Sequence, residues 1–237
     1  MRTLDDALLA RLASHGLNLV GATSVAAYDA RAGARTALAP RLPDARTAVV
    51  VGNGGGAFWT AFARSRPRDD VPVAHPLDAF TRRLVETIAA DVAGLVGIVY
   101  PFDPVPTDFR TLAACAGLGS PSLLGLLVHP VYGPWMALRA ALLVRDEVAL
   151  PRPADGFDPC PSCTSRACIA ACPGGAVRDA GWDVPACVSY RAAAPGRCDA
   201  GCHARLACVL GPEHRYPDAA LAFHQGAART MLARTRT

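Results

Sequence analysis

Cys160-Pro-Ser-Cys163-Thr-Ser-Arg-Ala-Cys168-Ile-Ala-Ala-Cys172-Pro173 opens a stretch that runs to Cys208 and holds eight of the nine cysteines in a chain of 237 residues. Thiolates are soft ligands, and cysteines set close together in turns can wrap the irons of a 4Fe-4S cube. In such a run the cysteine before proline, here Cys172, characteristically ligates the other cluster. The second group is Cys187, Cys198, Cys202 and Cys208. Chain order then puts Cys160, Cys163, Cys168 and Cys208 on one cube and Cys172, Cys187, Cys198 and Cys202 on the other. Two spacings depart from the usual form: four residues separate Cys163 from Cys168 where two are usual, and Val209 follows Cys208 where proline is usual. A zinc site built from Cys-x2-Cys-like pairs is the competing reading. Eight cysteines and the Cys-x3-Cys-Pro element favour iron–sulfur.

Composition narrows the classes further. No charged-then-apolar leader opens the chain, since Asp5 and Asp6 already lie in the first ten residues. Nine cysteines without such a leader read as metal or redox chemistry in a cytoplasmic protein instead of disulfides. Lysine is absent, which excludes a P-loop phosphate site and a pyridoxal Schiff base. The formal charge is +4. Four thiolates around a dicationic core leave about −2 on each cluster, so the loaded protein sits near neutrality and nucleic acid is not an expected partner. The segment 111–138 carries no charge, but Pro121, Pro130, Pro134 and several glycines break it, so no membrane span is expected there.

Upstream of the cysteines the texture is periodic. A helix is expected over Thr3–His15, capped by Thr3, with Leu4, Leu8, Leu9 and Leu12 on one face. Thr47–Val51 reads as a buried strand, Leu77–Ala93 as a helix, Leu95–Phe102 as a strand and Met136–Val144 as another. The glycine-rich stretch Gly52–Ala57 reads as a flexible turn. Strands alternating with helices predict an α/β domain over residues 1–150. Residues 151–212, punctuated by Pro, Gly and Cys, form a small metal-held module. The tail 213–237 is expected to be helical and to pack back on the first domain.

At this point two resemblances enter. Arg166-Ala-Cys-Ile-Ala-Ala-Cys-Pro-Gly-Gly-Ala-Val177 and Asp183-Val-Pro-Ala-Cys-Val-Ser-Tyr190 resemble the ferredoxin module of epoxyqueuosine reductases, cobalamin-dependent enzymes with two 4Fe-4S clusters. Asp103-Pro-Val-Pro106, Arg110, Ala116-Gly-Leu-Gly119 and Gly133 match that family's upstream pattern. His129-Pro-Val-Tyr-Gly-Pro-Trp-Met-Ala-Leu-Arg139 and Gly211-Pro-Glu-His-Arg-Tyr216 are similar to segments of CblC-type cobalamin-processing proteins. The resemblances imply an α+β nitroreductase-like domain that binds a corrinoid, followed by a two-cluster ferredoxin-like module. Ser120-Pro-Ser-Leu123 lacks the Trp and Lys that follow Ala-Gly-Leu-Gly in the reductases, and no helical-repeat domain is expected in this chain; both departures weigh against tRNA as substrate.

The same resemblances single out residues. Asp103, at the end of a strand, is the position of a proton donor; the alternative is a residue that closes the turn before Pro104. Ala116, Gly117, Leu118, Gly119, Gly133 and Trp135 would shape a corrinoid pocket, with Arg139, a charge inside an apolar strand, at its edge. His129 could approach cobalt, although a hydrogen-bonded structural role is preferred. Cys115 reads as a small buried residue. The expected function is an iron–sulfur oxidoreductase that passes electrons through both clusters to bound cobalamin. A ferredoxin-like carrier with a docking domain, a shortened epoxyqueuosine reductase and a flavin-dependent reductase are the alternatives. The expected partners are an electron donor, such as a flavodoxin or a ferredoxin reductase system, and a small-molecule or corrinoid substrate.

Overall fold

A computed structural model of the chain describes residues 4–65 and 74–234. In chain order its elements are α1 (Asp6–Ser14), β1 (Leu19–Ser24), α2 (Val25–Asp29), β2 (Thr47–Gly54), α3 (Ala57–Ser65), α4 (Pro76–Ala89), β3 (Leu95–Val99), α5 (Phe109–Cys115), β4 (Ser120–Pro121), β5 (Leu127–Val128), β6 (Met136–Val144), α6 (Ala167–Ala170), β7 (Val177–Arg178), β8 (Gly181–Trp182), α7 (Val184–Ala193), α8 (His203–Leu206) and α9 (Asp218–Arg234). They fall into two compact units: residues 1–119 with 136–155, and residues 120–135 with 156–237.

The first unit is mixed α/β, built on a four-stranded sheet in the order β1-β2-β6-β3. Every pairing in it is antiparallel. The strand–helix–strand rhythm that predicts an α/β domain is present, since β2 and β3 point the same way with α3 and α4 between them. The slot between these two strands is filled by β6, which arrives later in the chain and runs against both. The result is therefore α+β. β2 is buried at every position, as an apolar β-branched run predicts for an inner strand. Val50, Val51, Leu142 and Leu143 join Leu12, Leu17 and Tyr28 in the core. Each such side chain contributes about 1.5–3 kcal/mol on leaving water.

The helices cover this sheet with the faces their spacing dictates. Leu8 and Leu12 of α1 are buried, and Asp5 caps the helix by accepting from the Ala7 N–H. Thr3, the expected cap, lies outside the described residues. In α4, Leu77, Thr81, Val85 and Ile88 form the buried stripe. Phe58 and Phe62 of α3 meet Phe80 of α4 at ring distances of 5.5 and 5.6 Å.

The glycine-rich stretch is more ordered than a flexible turn. β2 continues to Gly54, and the chain turns at Gly55, where φ is +68°. Asn18 clasps Gly54 through both of its amide groups, at 2.7 and 3.1 Å. The β2–β6 register slips between Val51 and Gly52, which pair with Ala140 and Leu138. Arg139 is the extra residue of that bulge.

The second unit buries Val128, Trp135, Tyr216 and Leu221. Leu124, Val177 and Ala204 are buried together, with Leu123, Ile169, Cys168, Cys172, Cys202 and Cys208 packed against them. Residues 120–135 belong here, not to a domain ending at residue 150, because their apolar side chains supply that core. Ser120 Oγ also donates to the Phe157 carbonyl, and the Trp182 ring lies over Gly125. The tail is helical and joins this unit too: Arg191 of α7 donates to the Gln225 side chain of α9 at 2.6 Å. No helix among the described residues is long and apolar enough to cross a membrane.

The bulge supplies a test. A Cβ at Gly52 would lie 2.6 Å from the Ala137 carbonyl oxygen, whereas one at Gly33 meets nothing within 4 Å. Gly52→Ala is expected to cost about 1–3 kcal/mol, the usual range for overpacking, and Gly33→Ala to be neutral or slightly stabilising. Urea midpoints of the two variants check this.

Candidate functional site

Short turns place the eight thiols. Cys160 and Cys163 share a turn in which the Cys163 N–H donates to the Cys160 carbonyl at 3.2 Å. Arg166, in the left-handed region at φ +43°, starts α6. Cys168 lies in that helix and Cys172 just beyond it, one turn apart. Cys187 sits in α7, which Asp183 caps by accepting from the Ala186 N–H. Cys202 is the N-cap of α8, and the Cys208 N–H closes that helix onto the Arg205 carbonyl at 3.2 Å. All eight thiols are half-buried, whereas Cys115 is fully buried.

Their electrostatics separate them into two sets. Burial, and then the thiols of Cys208, Cys160 and Cys163, push the Cys168 thiol up. Burial and the same Cys160 and Cys163 raise Cys208. Cys187 is raised by burial and by Cys202 and Cys172, and Cys198 by burial and by Cys202, Cys187 and Cys172. The neighbours that raise each of these thiols belong to the group of four in which chain order places it. The first set lines a cavity of about 270 Å³ whose walls include Leu124, Val128 and Leu210.

N–H donors are aimed at the sulfurs. Ala176 N–H donates to Cys172 Sγ at 3.3 Å. The Ile169 and Leu210 backbone favours the thiolates of Cys168 and Cys208, and the Trp182 side chain that of Cys187. Soft thiolate donors in groups of four, apolar walls and N–H···S bonds match what an iron–sulfur cluster requires.

The two segments similar to CblC-type proteins meet beside Cys208. A Cβ on Gly133 would run into the Leu210 carbonyl, and one on Gly211 would lie 2.7 Å from the Tyr132 carbonyl carbon. Both glycines have positive φ. Tyr132 packs edge-on to His214 at 4.7 Å and Trp135 to Tyr216 at 5.9 Å. Arg205 lies over Trp135 and Tyr216 at 4.8 and 4.9 Å and donates to the Pro134 carbonyl at 2.6 and 3.2 Å. The Trp135 indole N–H is buried without a hydrogen-bond partner.

His129 is 3% exposed. Its Nδ1 accepts from the Val131 and Tyr132 N–H groups at 3.0 and 3.3 Å, so the hydrogen-bond pattern assigns the proton of the neutral ring to Nε2. That is the structural role preferred from sequence, and it leaves no ring nitrogen ready to bind cobalt. Asp103 closes a turn: Oδ2 accepts from the Tyr100 N–H and Oδ1 from Arg82 Nη2, both at 2.8 Å. These bonds are those of a residue that closes a turn, the alternative reading of Asp103. Arg139 donates to Asn53 Oδ1 at 2.7 Å and lies over the Phe58 ring at 4.5 Å.

Ala116 and Leu118 are buried in the first unit. Gly117, at φ +69°, lets the chain leave α5 close against Arg152. Gly119 ends the first segment of that unit. This stretch packs the fold interior. Sequence reasoning passed over Trp182 and Arg191, which face the second set of thiols. The i, i+4 spacing of Arg191 from Cys187 is the signal that could have found it.

The chain is a mixed α/β protein with a small antiparallel sheet, consistent with a nitroreductase-like fold, and a loop-rich unit that carries eight cysteines. No protein-family model and no curated protein matches the sequence. Among solved structures the fold is similar to an epoxyqueuosine reductase from Streptococcus thermophilus, at 14% identity and a TM-score of 0.57 over 91% of this chain and 68% of that one. It is similar to a C. elegans B12-trafficking protein, CblC, a homologue of human MMACHC, at 18% identity and a TM-score of 0.60 over 97% of this chain and 94% of that one. A catabolic reductive dehalogenase, NpRdhA, matches at 17% identity and a TM-score of 0.52 over 92% of this chain and 34% of that one. The chain thus spans about two thirds of the length of the reductase. The likeness is one of fold, and it includes both families whose motifs the sequence resembles.

His129 yields a pH test. Burial, and secondarily His214, lower its pKa to about 4, against about 6.5 in an unfolded chain. Between these values the unfolded state binds a proton that the folded state refuses. Stability is therefore full above about pH 6.5 and falls as the pH drops, by about 2 kcal/mol at pH 5. His129→Asn keeps an acceptor for the two N–H groups and removes the titration. Urea midpoints at pH 7 and pH 5 should diverge more for the native protein than for the variant; equal losses would show that His129 is not held neutral.

Proposed function

We propose that the chain is an iron–sulfur reductase that carries electrons through two 4Fe-4S clusters to a bound corrinoid. The observation that carries this reading is the gathering of eight thiols into two sets of four on a fold of this kind. A zinc ion takes four ligands, its sulfurs at about 2.3 Å, whereas eight cysteines with a Cys-x3-Cys-Pro element suit two cubes, each spreading four thiolates over four irons. Cys160, Cys163, Cys168 and Cys208 hold one cluster, and Cys172, Cys187, Cys198 and Cys202 the other. Bound clusters supply one-electron transfer, and the corrinoid supplies a cobalt centre that accepts electrons at low potential.

The chain's own residues do the rest. Leu124, Val128 and Leu210 line the site of the first cluster, and Ala176 donates to the Cys172 sulfur of the second. Arg205, through Pro134 and Trp135, pins the loop beside Cys208. The corrinoid half of the reading draws on the fold likeness to the B12-trafficking protein and on the motifs at 129–139 and 211–216. The buried Trp135 N–H is a polar group that an amide carbonyl of a corrinoid rim would satisfy.

Anaerobically purified protein should contain about eight irons and eight sulfides and show a broad absorption that dithionite bleaches. Stoichiometric zinc without labile sulfide would sink the cluster assignment. Cys172→Ala should disrupt the cluster of Cys187, Cys198 and Cys202 and spare the other, and Cys168→Ala the reverse. Titration of cluster-loaded protein with cob(II)alamin should change the corrinoid spectrum and saturate in the micromolar range. No change at tens of micromolar, together with tight flavin binding, would replace the corrinoid with a flavin.

A further inference from the structure

Arg191 is a cation held almost out of water, its side chain 11% exposed. It lies on α7 four residues after Cys187, one turn along the same face. Its Nη2 is 3.7 Å from Oδ1 of Asp199, the residue after Cys198. The guanidinium thus bridges the helix that bears one thiol and the loop that bears another. Nη1 donates to Gln225 Oε1 at 2.6 Å and Nη2 to the Gln225 carbonyl at 3.3 Å, fixing the group from α9. Its charge favours the thiolate at both Cys187 and Cys198.

A buried cation is costly unless answered. Asp199 answers it in part, being 36% exposed and so screened by water. The first set is placed differently. Arg166, which borders its cavity, is 35% exposed and turned to Asp179 at 3.4 Å.

We propose that Arg191 raises the reduction potential of the cluster held by Cys172, Cys187, Cys198 and Cys202, and so sets the order in which the two clusters fill. The inference rests on the two-cluster reading above. In the step, a 4Fe-4S core of charge 2+ gains one electron from a low-potential one-electron reductant and becomes 1+. No proton moves, and no bond forms or breaks. Reduction adds a negative charge beside the guanidinium, whose attraction grows accordingly. The first electron to enter the module comes to rest in this cluster. The cluster of Cys160, Cys163, Cys168 and Cys208 fills second and is the stronger reductant.

The test is an EPR-monitored dithionite titration of anaerobic, cluster-loaded protein. Arg191→Gln should lower one of the two potentials by about tenfold in its reduction equilibrium, about 59 mV for a one-electron couple, and leave the other in place. Asp199→Asn, which removes the opposite charge, should raise the same potential, and Arg191→Lys should retain most of it. The responsive signal should be the one lost in Cys172→Ala. If Arg191→Gln keeps both clusters by iron and sulfide count and neither potential moves, or both move equally, the inference is overturned. If Arg191→Gln does not fold, Asp199→Asn decides, and an unmoved or lowered potential overturns it. A native protein without two clusters refutes the earlier reading instead.

Discussion

Thiols crowded into a poorly solvated pocket resist ionisation, and the second unit is organised around that resistance. Burial and like neighbours push Cys168, Cys187, Cys198 and Cys208 upward, while Cys168 and Cys208 pack with Cys172 and Cys202 against buried Leu124, Val177 and Ala204. In the proposed holoprotein, cationic iron relieves the repulsion and ties the turns together, so metal binding and folding of this unit are one event. The N–H donors, the Arg205 clamp on Pro134 and the Arg191 tether to α9 all act on chain that this event holds in place.

Residues far apart in sequence meet at the first set of thiols. The loop from His129 to Trp135 and the segment from Leu210 to Tyr216 approach so closely that glycine is required on both sides. Their similarity to one family of proteins thus has a local physical meaning: each segment is the other's packing partner. The carbonyl of Leu210, two residues along the chain from Cys208, faces Gly133.

Local features were legible in the sequence where local physics decided them. Met136–Val144 was readable to the residue because a nine-residue run, apolar apart from Arg139, has the length of a buried strand. The stripe of α4 follows from its spacing, and the grouping of the cysteines from their order. β1 escaped notice because Leu19–Ser24 carries small residues without clear alternation. The order of strands in the sheet was not legible, because it depends on where β6 inserts, which is not a property of β6 alone. The allegiance of residues 120–135, and the pairing of Asp103 with Arg82, are likewise contacts between distant stretches of chain that no window of sequence displays.

The order of segments along the chain has a consequence for how the protein is made. The first unit is interrupted by residues 120–135, and the second begins there before the first is complete. Thr47 at the start of β2 reaches its partner, the Asp146 carbonyl, 99 residues later. Until β6 leaves the ribosome, β2 has an unmatched edge facing the place β6 will take, and the loop that precedes β6 awaits cysteines still to be synthesised. Contacts of such long span slow folding and expose apolar strands meanwhile. Because the units interlace, no single cut in the chain yields both as intact fragments, and expressing either alone would require rejoining two separated pieces of sequence.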